Sequence, residues 1–211
     1  MLLDLAGETV RLLAERAVLW RRTVLVADVH LGKSDTFRHF GLPVPDGDLD
    51  TDLARLSRLV LDTGAERVLV LGDLVHSANG LNPDVVDRVA SWRSALDAEL
   101  ELVPGNHDRF DPPASWRVRQ RPDGHVEGPF RFVHQPHTRA GVYTWCGHVH
   151  PAAVVGRGRH ALRFACFWLG AEQGMLPAFG TFTGGLAVRP APGDRVVAVT
   201  SEGLIALPGM R

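Results

Sequence analysis

The chain lacks several features that would assign it at once to a particular class of protein. Its 211 residues include only two cysteines, Cys146 and Cys166, too few for the disulfide framework of a small secreted domain. No apolar run approaches the length of about 20 residues that a membrane-spanning helix needs. The amino terminus carries an early acid, Asp4, and no basic region, so it does not resemble a signal peptide. These absences predict a cytoplasmic protein that has no membrane partner.

An excess of charge of either sign is also missing. The chain has 23 basic and 24 acidic residues, a formal net charge of −1, and Lys33 is its only lysine. An extended nucleic-acid interface needs many phosphate-neutralising side chains on one face, so this balance argues against one without excluding a local basic pocket. Hydrophobic residues make up 45% and charged residues 22%, as in ordinary globular proteins. We therefore expect one domain over residues 1–211 with a sizeable core.

The first half of the chain alternates between strand-like and helical patterns. The continuous apolar run at 23–27 is typical of a strand buried on both faces. Leucines recur at helical spacing over 48–63, with Asp48 as the expected N-cap and Gly64 as the C-terminal stop. The other predicted elements are a hairpin at 8–13 and 16–20, strands at 67–71 and 99–103, and a helix that Asn82-Pro83 opens and that runs to about residue 98. This order implies parallel strands with right-handed crossovers.

Short apolar runs separated by Pro, Gly and Asp follow in the second half and predict antiparallel strands. They lie at 117–121, 125–133, 142–146, 153–155, 161–168 and 195–200. We therefore expect an α/β fold in which two mixed β-sheets pack as a sandwich flanked by helices, with a functional site at one edge.

Side chains that bind metals occur at or just beyond the ends of the apolar runs. They stand in five stretches: Asp28-Val29-His30, Gly72-Asp73, Gly105-Asn106-His107-Asp108, His134 and Gly147-His148-Val149-His150. Asp28 and His30 are two residues apart, so on an extended segment both would point the same way and chelate one ion. The same spacing recurs at His148 and His150. The Asp73 carboxylate is able to bridge two cations, and Gly72 before it leaves room for close approach.

The donor types indicate which metals and which chemistry to expect. Imidazole, carboxylate and amide donors together suit Mn, Fe or Zn better than an oxygen-only calcium cage, and we expect two divalent ions, with Mn first. Pairs of such ions activate water and hold phosphoryl oxygens. Each stretch alone is a weak signal, but five in order at strand ends are hard to attribute to chance. The pattern predicts a metal-dependent phosphoesterase.

The five stretches resemble the calcineurin-like metallophosphoesterase superfamily over residues 24–150. Two further segments resemble the DNA-ligase-associated metallophosphoesterases of bacteria. The first runs from Ala27 to Lys33 and continues through Phe37-Arg38 and Gly41-Leu42-Pro43-Val44-Pro45; the second is Phe179-Gly180 with Phe182-Thr183-Gly184-Gly185. The subfamily resemblance implies a DNA-repair context in which DNA ligase, a helicase and a nuclease are candidate partners.

The superfamily resemblance also implies a role for each residue of the motifs. Asp28, His30 and His150 would hold one metal, Asp73 would bridge, and Asn106, His134 and His148 would hold the other. His107 would be the catalytic histidine that stabilises or protonates the leaving oxygen. Asp108 would either orient His107 or cap the turn that follows.

Most of the residues near these motifs have more than one interpretation. Lys33 and Arg38 would bind substrate phosphate on the subfamily resemblance, although loop cations are usually only solvated. His76 would contact substrate, support a ligand or lie on a surface loop. Thr181 to Gly185 would line the cleft or form a tight turn. We expect Cys146 to be a small buried hydrophobe.

The predicted function is hydrolysis of a phosphodiester, either a small one or a nucleic-acid end, because no basic stripe is visible in the sequence. The alternatives are a phosphomonoesterase or nucleotide pyrophosphatase on the same site, and a non-catalytic scaffold with the same fold. A scaffold would have lost ligands or the catalytic histidine, and this chain keeps them all.

Overall fold

Two β-sheets and three α-helices make up the part of the chain that the computed structural model describes, residues 1–208. The expected domain runs to 211, and residues 209–211 lie outside the described range. The helices are α1 (Lys33–His39), α2 (Asp48–Thr63) and α3 (Pro83–Ala95), with short 3-10 turns at Ala78–Gly80, Ala114–Trp116 and Gly158–His160. The first sheet contains β1 (Leu2–Leu5), β2 (Glu8–Leu13), β3 (Ala17–Trp20), β4 (Thr23–Val26), β5 (Arg67–Leu71), β6 (Glu99–Val103) and β7 (Val118–Gln120). The second contains β8 (His125–Glu127), β9 (Phe130–Phe132), β10 (Tyr143–Cys146), β11 (Pro151–Val155), β12 (Leu162–Leu169), β13 (Gln173–Met175), β14 (Leu186–Ala187), β15 (Arg195–Thr200) and β16 (Gly203–Leu207).

The first sheet follows chain order from β1 to β7. Strands β1 to β4 form an antiparallel meander, and β4 to β7 are parallel. Helices α1 and α2 lie between β4 and β5 along the chain, and α3 lies between β5 and β6. The predicted parallel β-α-β-α-β arrangement is confirmed.

The second sheet is mixed, and the expectation of antiparallel strands is wrong for part of it. Strands β9, β10 and β13 pair in parallel, as do β11 and β14, whereas β11, β12, β15 and β16 pair antiparallel. The sequence between β9 and β10 contains turn residues, but it returns across the sheet instead of reversing the chain in a hairpin. The predicted run 125–133 divides into β8 and β9 around Gly128, whose φ is +57°.

The two sheets pack face to face around a shared core. Alternate residues of the central strands face opposite ways: Val24 and Val26 of β4 pack against the helices, while Leu25 packs toward the second sheet. Trp20, Leu69, Phe130, Trp145 and Phe167, drawn from both sheets, lie in that inter-sheet cluster. Burial on both faces explains why the run at 23–27 is apolar throughout. The predicted sandwich is confirmed, and the shared core supports our proposal that the chain is one domain.

Helix α2 has the predicted bounds, and its leucine stripe is buried. Gly64 ends it in the left-handed conformation, at a φ of +63°. The expected N-cap is wrong: Gly47 precedes the helix, and the Asp48 carboxylate accepts a hydrogen bond from the Ser34 hydroxyl at 2.6 Å. Asp48 thereby ties α2 to α1 instead of capping its own helix.

Helix α3 begins at Pro83 as predicted, and the Asn82 side chain caps it by accepting a hydrogen bond from the Val85 N–H at 2.9 Å. It ends at Ala95, short of the predicted 98, because Leu96 takes an extended conformation.

Five elements were not predicted, since each is too short or irregular to show a hydrophobic periodicity. They are helix α1 and strands β1, β13, β14 and β16. Within residues 1–208, no helix is both long enough and apolar enough to span a membrane.

Candidate metal centre

The candidate ligands meet where the carboxyl ends of five strands come together. Asp28, Asp73 and Asn106 follow the parallel strands β4, β5 and β6, and His134 and His148 follow the parallel strands β9 and β10. Loops at the carboxyl ends of parallel strands share one edge of a sheet. The Asp28 carboxylate also accepts a hydrogen bond from the His148 N–H at 3.0 Å, which joins the two sheets at that edge.

The backbone at the ligands is left-handed, which corrects the expectation of extended chelating segments. The φ angles are +55° at Asp28, +54° at His30, +53° at Asp73, +67° at His148 and +48° at His150. A left-handed residue with a β-carbon costs about 1–2 kcal/mol, so neighbours must hold it in place. The His30 N–H donates to the Asp73 carbonyl at 2.9 Å, for example. Backbone strain concentrated at one edge of the molecule is typical of a functional site.

Asp28, His30 and His150 form the first ligand group, in which the candidate donor atoms all lie within 4.8 Å of one another. His150 Nε2 is 3.2 Å from Asp28 Oδ1. Burial lowers the pKa of His30 to about 2, with the Lys33 ammonium also contributing, so its imidazole is neutral, as metal binding requires. His30 Nε2 is buried and has no hydrogen-bond partner within residues 1–208. A buried imidazole nitrogen without a hydrogen-bond partner fits a metal ligand.

Asp73, His134 and His148 form the second group, with Asn106 beside them. His134 Nδ1 lies 3.0 Å from the Leu71 carbonyl, which only accepts, so this nitrogen carries the proton and Nε2 carries the lone pair. That lone pair faces Asn106 Oδ1 at 2.9 Å and Asp73 Oδ2 at 3.5 Å. Lone pairs converging on one point repel one another unless a cation lies between them. The donor set therefore fits a bound metal ion.

Asp73 lies between the two groups. Its Oδ2 is 3.9 Å from His30 Nε2 of the first group and 3.5 Å from His134 Nε2 of the second, and Oδ1 accepts from the His107 N–H at 2.9 Å. The side chain is buried, and burial raises the pKa of its carboxyl. One carboxylate oxygen thus faces ligands of both groups.

Two glycines beside candidate ligands, Gly72 before Asp73 and Gly105 before Asn106, permit this packing. A β-carbon on Gly72 would overlap the His134 ring, and one on Gly105 would overlap the Asp73 carboxylate. The prediction that Gly72 leaves room for the site is confirmed, because the His134 ring occupies that space.

His107 lies at the open side of the centre, with its side chain 37% exposed. Its Nδ1 donates to the His76 carbonyl at 2.7 Å, which leaves Nε2 to face the site, 3.9 Å from Asp73 Oδ2. The ring stacks on that of His76 at a centroid distance of 5.0 Å. Burial lowers the pKa of His76 to about 4, and His76 Nδ1 is 3.4 Å from His30 Nδ1. His76 therefore belongs to the site and not to a surface loop.

Asp108 does not orient His107 directly. Its carboxylate accepts hydrogen bonds from the N–H groups of Gly105 at 2.9 Å, Val75 at 3.1 Å and Leu74 at 3.3 Å. These bonds tie the loop after β6 to the loop after β5. Neither predicted role fits, because the carboxylate neither contacts the His107 ring nor caps the turn that follows, so we correct the assignment of Asp108 from catalytic to positioning residue.

Lys33 and Arg38, both on α1, differ in what they contact. Lys33 forms no ion pair within residues 1–208, and its charge lies close enough to lower the pKa values of His30 and His76. Arg38, by contrast, pairs with the Asp35 carboxylate at 2.9 Å and with that of Asp46. Two carboxylates neutralise Arg38, so we withdraw it as a substrate-binding residue.

Sequence reasoning singled out Phe179-Gly180 and Thr181 but missed the contacts by which they hold the loop behind Asp28, and it missed Asp52 altogether. The N–H groups of Phe179 and Gly180 donate to the carbonyls of Ala27 at 2.8 Å and Asp28 at 3.2 Å. Asp52, buried on α2, accepts from the Thr181 N–H at 3.0 Å. A carboxylate within the leucine stripe of a helix was the available signal.

Cys146 is buried as predicted, and burial raises the pKa of its thiol to about 12.

Comparison with known proteins adds three findings. Residues 21–166 match the family described as calcineurin-like phosphoesterase. No curated protein sequence matches the chain. Among solved structures, that of the nuclease MPE from Pseudomonas putida is 34% identical, with a TM-score of 0.85 and coverage of 98% of this chain and 99% of that one. The structure of Yfce, a phosphoesterase from E. coli, is 16% identical, with a TM-score of 0.42 and coverage of 88% and 97%.

Proposed function

The chain belongs to the calcineurin-like phosphoesterase family of metal-dependent hydrolases, and from this premise we propose that it is a binuclear phosphodiesterase. The observation that carries the proposal is the position of Asp73, whose Oδ2 faces a histidine of each ligand group. A single carboxylate so placed suits the bridge of a metal pair. Such a pair, when bound, activates water and stabilises the charge on the phosphoryl oxygens.

The proposed ligand assignment follows the two groups. Asp28, His30 and His150 hold one ion, Asn106, His134 and His148 hold the other, and Asp73 is shared. Mn is the first candidate, with Fe and Zn next, because nitrogen and oxygen donors are mixed.

His107 is the proposed general acid. The hydrogen bond from its Nδ1 to the His76 carbonyl fixes the ring so that Nε2 points to the open side of the centre. A proton on Nε2 is then positioned to reach the leaving oxygen. Asp108 holds the loop that carries His107 against the loop that carries Asp73 and His76.

His76 and Lys33 are the proposed contacts to the non-bridging phosphate oxygens. Both lie beside His30, and neither has a carboxylate partner within residues 1–208, so their donors are available to an anion. Few cationic side chains lie around the two ligand groups, so a compact phosphodiester or a nucleic-acid end is the proposed substrate. The similar protein from Pseudomonas putida is a nuclease, which supports a phosphodiester over a monoester as the substrate of this chain.

The cellular setting proposed here rests on the subfamily resemblance alone. It is DNA repair in association with DNA ligase, a helicase and a nuclease.

A comparison of matched substrates tests the proposed function. We expect Mn-loaded protein to hydrolyse bis-p-nitrophenyl phosphate faster than p-nitrophenyl phosphate, since both release the same leaving group and differ only in the second ester. Oligonucleotide ends should react faster than intact duplex DNA, which depends on many phosphate contacts. A preference for the monoester would contradict the proposal, and so would efficient internal cutting of duplex DNA.

Replacing Lys33 with glutamine should lower kcat/KM for phosphodiesters by roughly 10- to 100-fold, because one charge-assisted hydrogen bond to the phosphate is lost. Metal content should stay unchanged, as measured by elemental analysis. Arg38→Gln is the matched control on the same helix, and its effect on kcat/KM should be small because two carboxylates already neutralise Arg38. Equal losses in the two variants would exclude a specific contact from Lys33.

A further inference from the structure

A cavity of about 230 Å³ adjoins the metal centre, because His150 forms part of its wall. Arg16, Arg163 and Thr183 supply its polar side chains, and small residues line the rest. Arg16 lies in the turn between β2 and β3 of the first sheet, and Arg163 lies on β12 of the second. Residues almost 150 positions apart in the chain thus meet beside a candidate metal ligand.

The pleat of two strands shapes the cavity. Ala152 of β11 pairs with Ala165 of β12, and their short side chains leave the space open. Arg163 is two residues from Ala165, so it projects from the same face of the sheet. The Leu186 N–H donates to the His150 carbonyl at 2.9 Å, which holds the glycine-containing loop before β14 against the centre.

The cavity is positively charged, and its donors are available. None of the described residues that line it is acidic. Arg16 uses only Nη1 to hold the carbonyls of Ala178 at 3.2 Å and Gly180 at 3.4 Å, so the donors on Nη2 and Nε remain. Arg163 is exposed and forms no ion pair within residues 1–208. The Thr183 hydroxyl is buried and has no hydrogen-bond partner among the described residues.

A larger cavity of about 730 Å³ on another part of the molecule makes a useful contrast. It also contains three arginines, but three acidic residues lie among them. These six are Arg22, Arg93, Arg117, Glu66, Asp97 and Glu99. The charges there offset one another, whereas those beside His150 do not.

We propose that the cavity formed by Arg16, Arg163 and Thr183 binds the phosphate group next to the scissile one in an oligonucleotide. The inference rests on the proposed phosphodiesterase activity and extends it to substrates with more than one phosphate. A chain phosphate at the metal centre would have its neighbour one nucleotide away, and the candidate ligand His150 lines the cavity. Guanidinium groups suit this ligand, because they donate paired N–H groups to phosphate oxygens.

The kinetic test compares a dinucleoside monophosphate, which has only the scissile phosphate, with a trinucleoside diphosphate. Arg163→Gln should lower kcat/KM for the longer substrate roughly 10-fold and leave that for the shorter one unchanged, since one charged contact is lost. Arg157→Gln is the matched control, because Arg157 is exposed on the loop between β11 and β12 and does not line the cavity. Equal losses on both substrates, or the same loss in the control, would overturn the proposal.

A binding measurement tests the proposed phosphate-binding cavity independently of turnover. Fluorescence anisotropy of a labelled pentanucleotide would be recorded against salt concentration with metal-loaded His107→Asn protein. Each phosphate contact to a single strand contributes about 0.7 to the slope of log K against log salt, so adding Arg163→Gln should reduce the slope by roughly 0.7. An unchanged slope would contradict the proposal that the cavity binds a phosphate. If no phosphodiester is hydrolysed by the unaltered enzyme, the proposed function fails, and the slope still tests the subsite.

Discussion

Replacing Asp73 with asparagine is expected to remove both metal ions together and to reduce hydrolysis below detection. Metals in binuclear sites lie about 3.5–4 Å apart, so their mutual repulsion is large unless a shared anion offsets it. The amide of asparagine carries no charge, yet it has an oxygen that accepts the hydrogen bond from the His107 N–H that Asp73 Oδ1 now accepts. The loop should therefore persist while the pair of ions is lost. Elemental analysis after dialysis against metal-free buffer measures the outcome.

Asp28→Asn is the comparison for this variant, because Asp28 lies in the first ligand group alone. It should weaken one ion more than the other, whereas Asp73→Asn should weaken both equally. Circular dichroism of each metal-free variant establishes that it is folded. Folded Asp73→Asn protein with two ions per chain would exclude the bridge, and loss of a single ion would make Asp73 a ligand of that ion only.

Replacing His107 with asparagine should leave both metal ions bound and slow turnover by roughly 10²–10⁴-fold on substrates with alkoxide leaving groups, the usual contribution of a general acid. The loss should shrink on bis-p-nitrophenyl phosphate, since nitrophenolate leaves without a proton. The structure supports this expected difference between the two kinds of substrate. His107 faces the open side of the centre, and its Nδ1 already donates to the His76 carbonyl.

His39→Asn serves as the control for His107, because His39 is an exposed histidine at the end of α1 and should leave kcat unchanged for both substrates. A His107→Asn loss of the same size on good and poor leaving groups would eliminate the general-acid role. Loss of metal from that variant would instead identify His107 as a ligand.

Local sequence patterns were enough to predict much of the fold and the residues of the candidate site. The strands β4, β5 and β6 are buried on both faces, so their apolar runs are unmistakable, and the residues that follow them must share an edge. Arg38 shows the limit of this reasoning. Its motif position suggests a phosphate contact, but Asp46, eight residues further on, closes back onto it. Whether a cation is free depends on the path of the loop, which no local pattern specifies.

The sequence by itself determined the type of chemistry, since the residues able to ligate metals and their positions at strand ends can be read directly from it. Only the tertiary structure decided the geometry: the left-handed backbone at Asp28 and His30, the parallel pairing within the second sheet, and the hydrogen bonds that make Asp108 a positioning residue. It also placed Arg16 beside Arg163, where the sequence showed no basic surface. The physical reason is that composition and hydrophobic periodicity indicate which side chains are buried. Which distant residues meet is determined by long-range hydrogen bonds and strand pairing.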